Sequence, residues 1–210
     1  MERRRRRHDG QHGQGLVEFA LLVPVFLLLL LAMLEFGFLF DHTLTIQYAS
    51  REGARVGSAM VNGGGTPGCG PGQSPAAGDV DKNIIAAVTR VLNSDGSRVN
   101  PAEVPTITIY HADTNGNQIS DHANVWRYAP GSGPVVDGRP IGYTLASGDT
   151  DWQACSRTNI GTTPDSIGVS MGYTYRFQTA LGNMLSFFGG SGWSSVAVSD
   201  RTVMAMNPTD

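Results

Sequence analysis

An α+β fold, in which an N-terminal transmembrane helix extends outside the membrane and is followed by a small antiparallel sheet packed with helices, is what this 210-residue sequence predicts. Three observations carry the prediction. A dense apolar block fills residues 16–40 behind a run of arginines. Residues 79–92 repeat apolar side chains at helical spacing, and segments starting at Thr106 and Ile167 alternate apolar and polar residues as strands do.

The apolar block is about 25 residues, or roughly 37 Å of helix at 1.5 Å per residue, enough to cross a hydrocarbon core of about 30 Å with some tilt. It runs into Asp41-His42-Thr43-Leu44-Thr45 with no Ala-x-Ala cleavage site, so the span is expected to be retained. Arg3, Arg4, Arg5, Arg6 and Arg7 precede it, and only the mixed charges of Asp41, Arg51, Glu52 and Arg55 follow. The positive-inside rule then makes the N-terminus cytoplasmic and the C-terminal domain extracytoplasmic, in a single-pass protein of the cell membrane. The expected organisation is a basic leader or cytoplasmic arm over 1–13, a transmembrane helix over 14–40, a continuing extracytoplasmic helix over 41–60 and an extracytoplasmic α+β domain over 61–210. Beyond one span, a chain of this length has room for one modest core. The formal net charge is -3, and the arginine run sits at a membrane boundary and not on a folded face, which argues against nucleic acid as a partner.

Residues 41–59 contain no proline, so the helix is expected to continue past the membrane. Thr45, Ala49, Gly53 and Gly57 recur every four residues and place small side chains on one helical face. That face admits close packing, either on the domain's own sheet or against a neighbouring protein's helix. Residues 62–72 are too rich in Gly and Pro for regular structure. From Asp79 or Asp81, the residues Val80, Ile84, Val88, Val91 and Leu92 form the apolar stripe of a core helix, and Asn93-Ser94-Asp95-Gly96 is its stop. Thr106-Ile107-Thr108-Ile109-Tyr110 reads as a strand, Thr114-Asn115-Gly116-Asn117 as a hairpin turn, and Val125-Trp126-Arg127-Tyr128 as the return strand. Residues 130–165 read as surface loops pinned at Cys155. Residues 167–177 and about 193–206 read as two long antiparallel strands, joined by the apolar insertion at 181–188. The insertion either dips into the membrane surface, docks on a partner or folds over the sheet as a lid.

Cys69 and Cys155 both fall on the outer side, where a disulfide forms and persists; a bridge between them is expected, two separate thiols being the alternative. Neither cysteine has the spacing of a metal site or of a C-x-x-C motif. His8 and His12 are four apart but lack a third ligand. Asp113, Asn115 and Asn117 have the one-three-five spacing of a calcium loop, yet Gln118 stands where that loop needs glycine and Asn124 where it needs glutamate, so a hairpin turn explains them better. No catalytic constellation, metal or cofactor is expected.

The informative motif is Gly13-Gln14-Gly15-Leu16-Val17-Glu18-Phe19. It resembles a type IV prepilin processing site, where a peptidase cuts after glycine; cleavage between Gly13 and Gln14 would leave Glu18 fifth and Phe19 sixth in the mature chain. That segment, continued to Pro24, then Glu35-Phe36-Gly37, then Ala49-Ser50-Arg51-Glu52-Gly53-Ala54-Arg55, is similar to the TadE-like family of minor pilins, pilin-like proteins of Tad/Flp pilus assembly. The strand at 167–177, the Leu-rich connection and the strand running from Val196 to Met204 also look like that family's ending, whereas residues 62–165 match nothing familiar. The resemblance implies a pilin-like, non-enzymatic subunit of a pilus or secretion system, with pilus-assembly or pilin-like proteins and a prepilin peptidase as partners.

Physical chemistry gives the motif a purpose. A carboxylate in an apolar helix is costly and is usually paired or near the interface. Cleavage after Gly13 creates an α-amine on Gln14, four helical residues before Glu18, and the two can pair within one subunit or between neighbours. Glu35, near the outer end of the span, is out of that amine's reach. Pro24 lacks an amide hydrogen and frees the carbonyl of Ala20, which favours a bend. The alternative function is a membrane-tethered extracytoplasmic binding or adhesion module, whose span would be only an anchor.

Overall fold

The computed structural model describes residues 11–60, 77–147, 152–159, 164–189 and 195–206, and its first element is one unbroken helix, α1 (Gln11–Met60). Leucine-rich sequence favours it over residues 16–39. Pro24 lies inside the helix and removes one backbone hydrogen bond without ending it. The chain divides into two compact units, Met1–Leu39 with Arg176–Ser195 and Phe40–Tyr175 with Val196–Asp210.

The larger unit is the α+β domain. Along the second half of α1, His42, Ile46, Ala49, Ser50, Gly53, Ala54, Gly57 and Ser58 are buried, the spacing of a helix with one face on a core. Helix α2 (Ala77–Leu92) buries Val80, Ile84, Ile85, Val88 and Leu92 and leaves Asp79 and Lys82 to pair at 2.7 Å on its exposed side. Its first residue, Ala77, lies two residues before Asp79 and four before Asp81, the expected starts.

The main sheet has the order β5-β2-β1-β6-β7, from strands β1 (Thr106–Ala112), β2 (Gln118–Tyr128), β5 (Tyr143–Ser147), β6 (Ser166–Arg176) and β7 (Ser195–Ala205). β1 is antiparallel to both neighbours, facing Arg127 and Gly172 across Thr106, and β5 is antiparallel to β2. In β6, Ile167, Val169, Met171, Tyr173 and Tyr175 are buried, the alternation the sequence shows.

Two expectations are corrected. The return strand of the hairpin begins at Gln118, not Val125, because the turn closes tightly: the Asp113 carboxylate accepts backbone N–H groups from Asn115 and Asn117, both at 2.8 Å, and Gly116 takes φ 79°. A bulge between Tyr110 and Ala112, with Asp121 at φ 60°, absorbs the surplus residues of β2. Residues 130–165 are not all surface loops: a small hairpin of β3 (Val135–Val136) and β4 (Arg139–Pro140) leads into β5, and Ile141, Tyr143, Trp152, Ala154, Cys155 and Arg157 are buried. The reason is local. Tyr143-Thr144-Leu145 alternates, and the Tyr143 hydroxyl donates to the Val104 carbonyl at 3.0 Å.

The insertion at 181–188 is a helix, α3 (Ala180–Gly189), and it belongs with residues 1–39 in the smaller unit.

Candidate functional site

Residues 13–20 of α1 are exposed, and a side chain added at Gly13 or Gly15 would meet nothing within 4 Å. Two glycines in the first turns, Gly13 and Gly15, weaken the helix by about 1 kcal/mol each relative to alanine. Glu18 is exposed and accepts a hydrogen bond from the Gln14 side-chain amide at 3.2 Å, one helical turn away. Phe19 is exposed as well, with Leu16, Val17, Leu21, Leu22, Phe26, Leu29 and Met33. An 18-residue window of this helix has mean hydropathy 2.7 and none of it is buried, which makes it the one described helix long and apolar enough to cross a membrane. Side chains of this kind need an apolar solvent or apolar partners.

The two acidic residues of the segment differ sharply. Glu35 is 2% exposed, and its carboxylate accepts the backbone N–H groups of Gln178 at 2.7 Å and Thr179 at 2.9 Å. Thr179 in turn caps α3, its hydroxyl accepting the N–H of Leu181 at 3.2 Å. Glu35 thus sits at the positive end of α3, where a carboxylate is favoured. Nothing local in the sequence announces these partners of Glu35, which are 143 and 144 residues away.

Of the small-residue face, Thr45 is half-buried, its hydroxyl donating to the Asp41 carbonyl at 3.0 Å, and Ala49 is fully buried. A Cβ on Gly53 would come within 2.6 Å of Val88 Cγ2, and one on Gly57 within 2.6 Å of Ile167 Cδ1. Of the two packings that the spacing allows, these glycines make the one inside the domain. Polar contacts fix the same helix: Ser50 bonds the Asp200 carboxylate and, at 2.8 Å, the Thr202 hydroxyl. His42, buried, bonds the Tyr173 hydroxyl, which donates to Glu103 at 3.2 Å; burial first, then the Glu103 carboxylate, pushes the Tyr173 phenol well above its ordinary range.

This arrangement, an apolar exposed half with Gly-Gln-Gly-Leu-Val-Glu-Phe at its start and a half buried through small residues and serines, is the part of the chain that can be compared. Residues 13–55 match the model of the TadE-like protein family. The family is a structural one, associated with Tad pilus assembly, and the match takes in Gly13, Gln14, Glu18, Phe19, Glu35, Ala49 and Gly53. No curated protein and no solved structure matches the chain.

Outside residues 13–55, several described polar groups serve the fold. Asp113, one of the three residues with calcium-loop spacing, spends its carboxylate on the turn amides, and among the described residues no group of three or more His, Cys, Asp or Glu is placed to hold a metal ion. Arg157 is buried with its guanidinium 2.7 Å from Asp81 and 4.3 Å from the centre of the Trp152 ring, a pair that no local motif announces. Asp81, Asn124, Trp126, Leu145 and Cys155 line a cavity of about 330 Å³ beside it. Cys155 is buried in a 3-10 turn; Cys69, its expected partner, lies outside the described residues, as do His8 and the arginine run.

Proposed function

We propose that this chain is a TadE-like minor pilin or pseudopilin, a membrane-anchored structural subunit that packs through the N-terminal half of α1 in Tad/Flp-type pilus assembly or secretion and carries its α+β domain outside the membrane. The observation that carries the reading is the match over residues 13–55, which holds the Gly13 to Phe19 motif and the apolar helix together. The burial pattern supports it: the N-terminal half of α1 leaves its large apolar side chains exposed, and Glu18 keeps its carboxylate outside any fold of its own. We read Gly13–Gln14 as the site at which a prepilin peptidase removes the leader, and the Gln14 amine so formed as the partner of Glu18 in a neighbouring subunit. No cofactor, metal or catalytic role enters this function.

The testing experiment is Glu18→Leu in the full chain. Acidic residues cost about 2.5–3.5 kcal/mol at mid-span on insertion scales and less near the interface, so the substitution is expected to leave membrane level unchanged. Crosslinking to pilus-assembly proteins and piliation should be lost. Wild-type assembly by Glu18→Leu would favour the alternative, a tethered binding or adhesion module whose span is only an anchor.

A further inference from the structure

Of the apolar block over 16–40, the 19 residues from Leu16 to Leu34 already span about 28 Å as helix, close to one hydrocarbon thickness, so on the membrane reading above Glu35 lies near the outer boundary of the bilayer. Glu35 is where α3 is tied on. Its carboxylate holds the Gln178 and Thr179 amides at 2.7 and 2.9 Å, within one turn of the start of α3. That start is therefore placed at the boundary too, by hydrogen bonds inside one compact unit.

What begins there is a helix unsuited to water. Ala180–Gly189 contains no charged residue, and Leu181, Met184, Leu185 and Phe188 recur in the sequence at i, i+3, i+4 and i+7, with Asn183 and Ser186 off that stripe. Met184 is 39% exposed, while Gly182 is closed off by Phe177, whose Cβ would be 2.6 Å from an added methyl. Ten residues make about 15 Å of helix, too short to cross a bilayer and suited to lying in its surface.

We infer that α3 is a second membrane contact: an interfacial helix seated in the outer leaflet, with Glu35 as the carboxylate that fixes its start at that depth. The occupant of its apolar stripe is lipid, because α3 is hydrogen-bonded through the Gln178 and Thr179 amides to Glu35, at the outer end of a span whose large apolar side chains are exposed. Lacking Lys and Arg, it needs no anionic headgroup.

The test uses the full chain in phosphatidylcholine vesicles, with nitroxide labels on Leu28→Cys, Met184→Cys and Val135→Cys in turn and the signal of identically treated wild-type chain subtracted. Relaxation by oxygen against a water-soluble paramagnet gives each label's depth. The Leu28 label should be deepest, the Met184 label about 5–10 Å below the phosphates, and the Val135 label in water. A Met184 label as wet as Val135, or shielded from both relaxants as in a protein contact, overturns the inference while a lipid-facing Leu28 label leaves the membrane reading standing. A wet Leu28 label sinks both. Glu35→Ala should shift the Met184 label toward water at constant Leu28 depth, and Glu35→Gln, which keeps an acceptor oxygen, should shift it less. An unmoved Met184 label in Glu35→Ala overturns the role given to Glu35.

Discussion

Gly53 faces stiff neighbours: Val88 Cγ2 at 2.6 Å and Val169 Cγ1 at 3.4 Å from the place its Cβ would occupy. Val88 is β-branched and has little rotameric freedom to yield in a helix. Gly53→Leu is therefore expected to overpack the domain and lower its stability by about 3 kcal/mol, read as a fall in the urea midpoint of the full chain in detergent. If the small-residue face instead served a neighbouring helix, the midpoint would hold and only association would weaken. At His111, burial holds the imidazole below its ordinary 6.5, His122 and Arg157 acting in the same direction and the Asp165 carboxylate at 3.4 Å opposing. The unfolded chain then binds the proton more readily, so this residue's contribution is present above pH 6.5 and is lost as pH falls through the lower folded value. His111→Phe, which keeps a ring stacked on Trp152, should flatten the acid side of the stability profile, measured by urea midpoints from about pH 7.5 to 5. Equal slopes in the two proteins would remove His111 from the account. Residue roles of this sort were the least legible in sequence. Glu18 announces itself by local context, a carboxylate at the head of an apolar run, whereas Glu35, Arg157 and His42 acquire their partners only through contacts between distant segments.

Elements were more legible where periodicity is local. The apolar block, the stripe of α2 and the alternation of β6 each declare their period within a dozen residues, and each appears where its pattern lies. The stretch from Pro130 onward was not legible because its strands have two to five residues, too few to display a period against the seven glycines and prolines of residues 130–147. Only Tyr143 and Leu145 carried a signal. β5 nonetheless closes the sheet edge beside β2, held by the Tyr143 hydroxyl, which donates to the Val104 carbonyl at 3.0 Å and lies 3.4 Å from the Pro101 carbonyl. Burial pushes that phenol above its ordinary range. Tyr143→Phe leaves the buried Val104 carbonyl without its donor and is expected to cost about 1–2 kcal/mol, with faster hydrogen exchange concentrated at residues 143–147. Unchanged exchange there would mean that the edge strand holds by its ladder alone. For α3, composition was legible but role was not: five large apolar side chains within eight residues fit a lid, a partner contact or a membrane contact alike, and only the hydrogen bonds from Gln178 and Thr179 to Glu35 tie its start to residues 1–39.

For the whole molecule, topology and redox chemistry make one joint prediction. The arginine run before the span predicts a cytoplasmic N-terminus, and everything from Asp41 onward then lies where thiols are oxidised. Cys155 is buried and placed beside α2 by the turn that also holds Trp152 and Arg157. A bridge from Cys155 to Cys69 would close a loop of about 87 residues, and the chain-entropy model assigns such a loop roughly 4–5 kcal/mol, an upper figure since measured gains are often smaller. We propose that the bridge forms when the domain is exported and is absent when it is not. In membranes, non-reducing peptide mapping is expected to give one linked Cys69–Cys155 pair, and a periplasm-active reporter fused after Met206 should be active. Moving Arg3 to Arg7 to neutral residues while adding arginines after Asp41 should invert both readouts together: the reporter falls silent and both thiols become alkylatable without reductant. A bridge that persisted in the inverted chain would separate redox state from topology and remove the cysteines as support for an extracytoplasmic domain. Two alkylatable thiols beside an active reporter would keep the topology and remove the bridge.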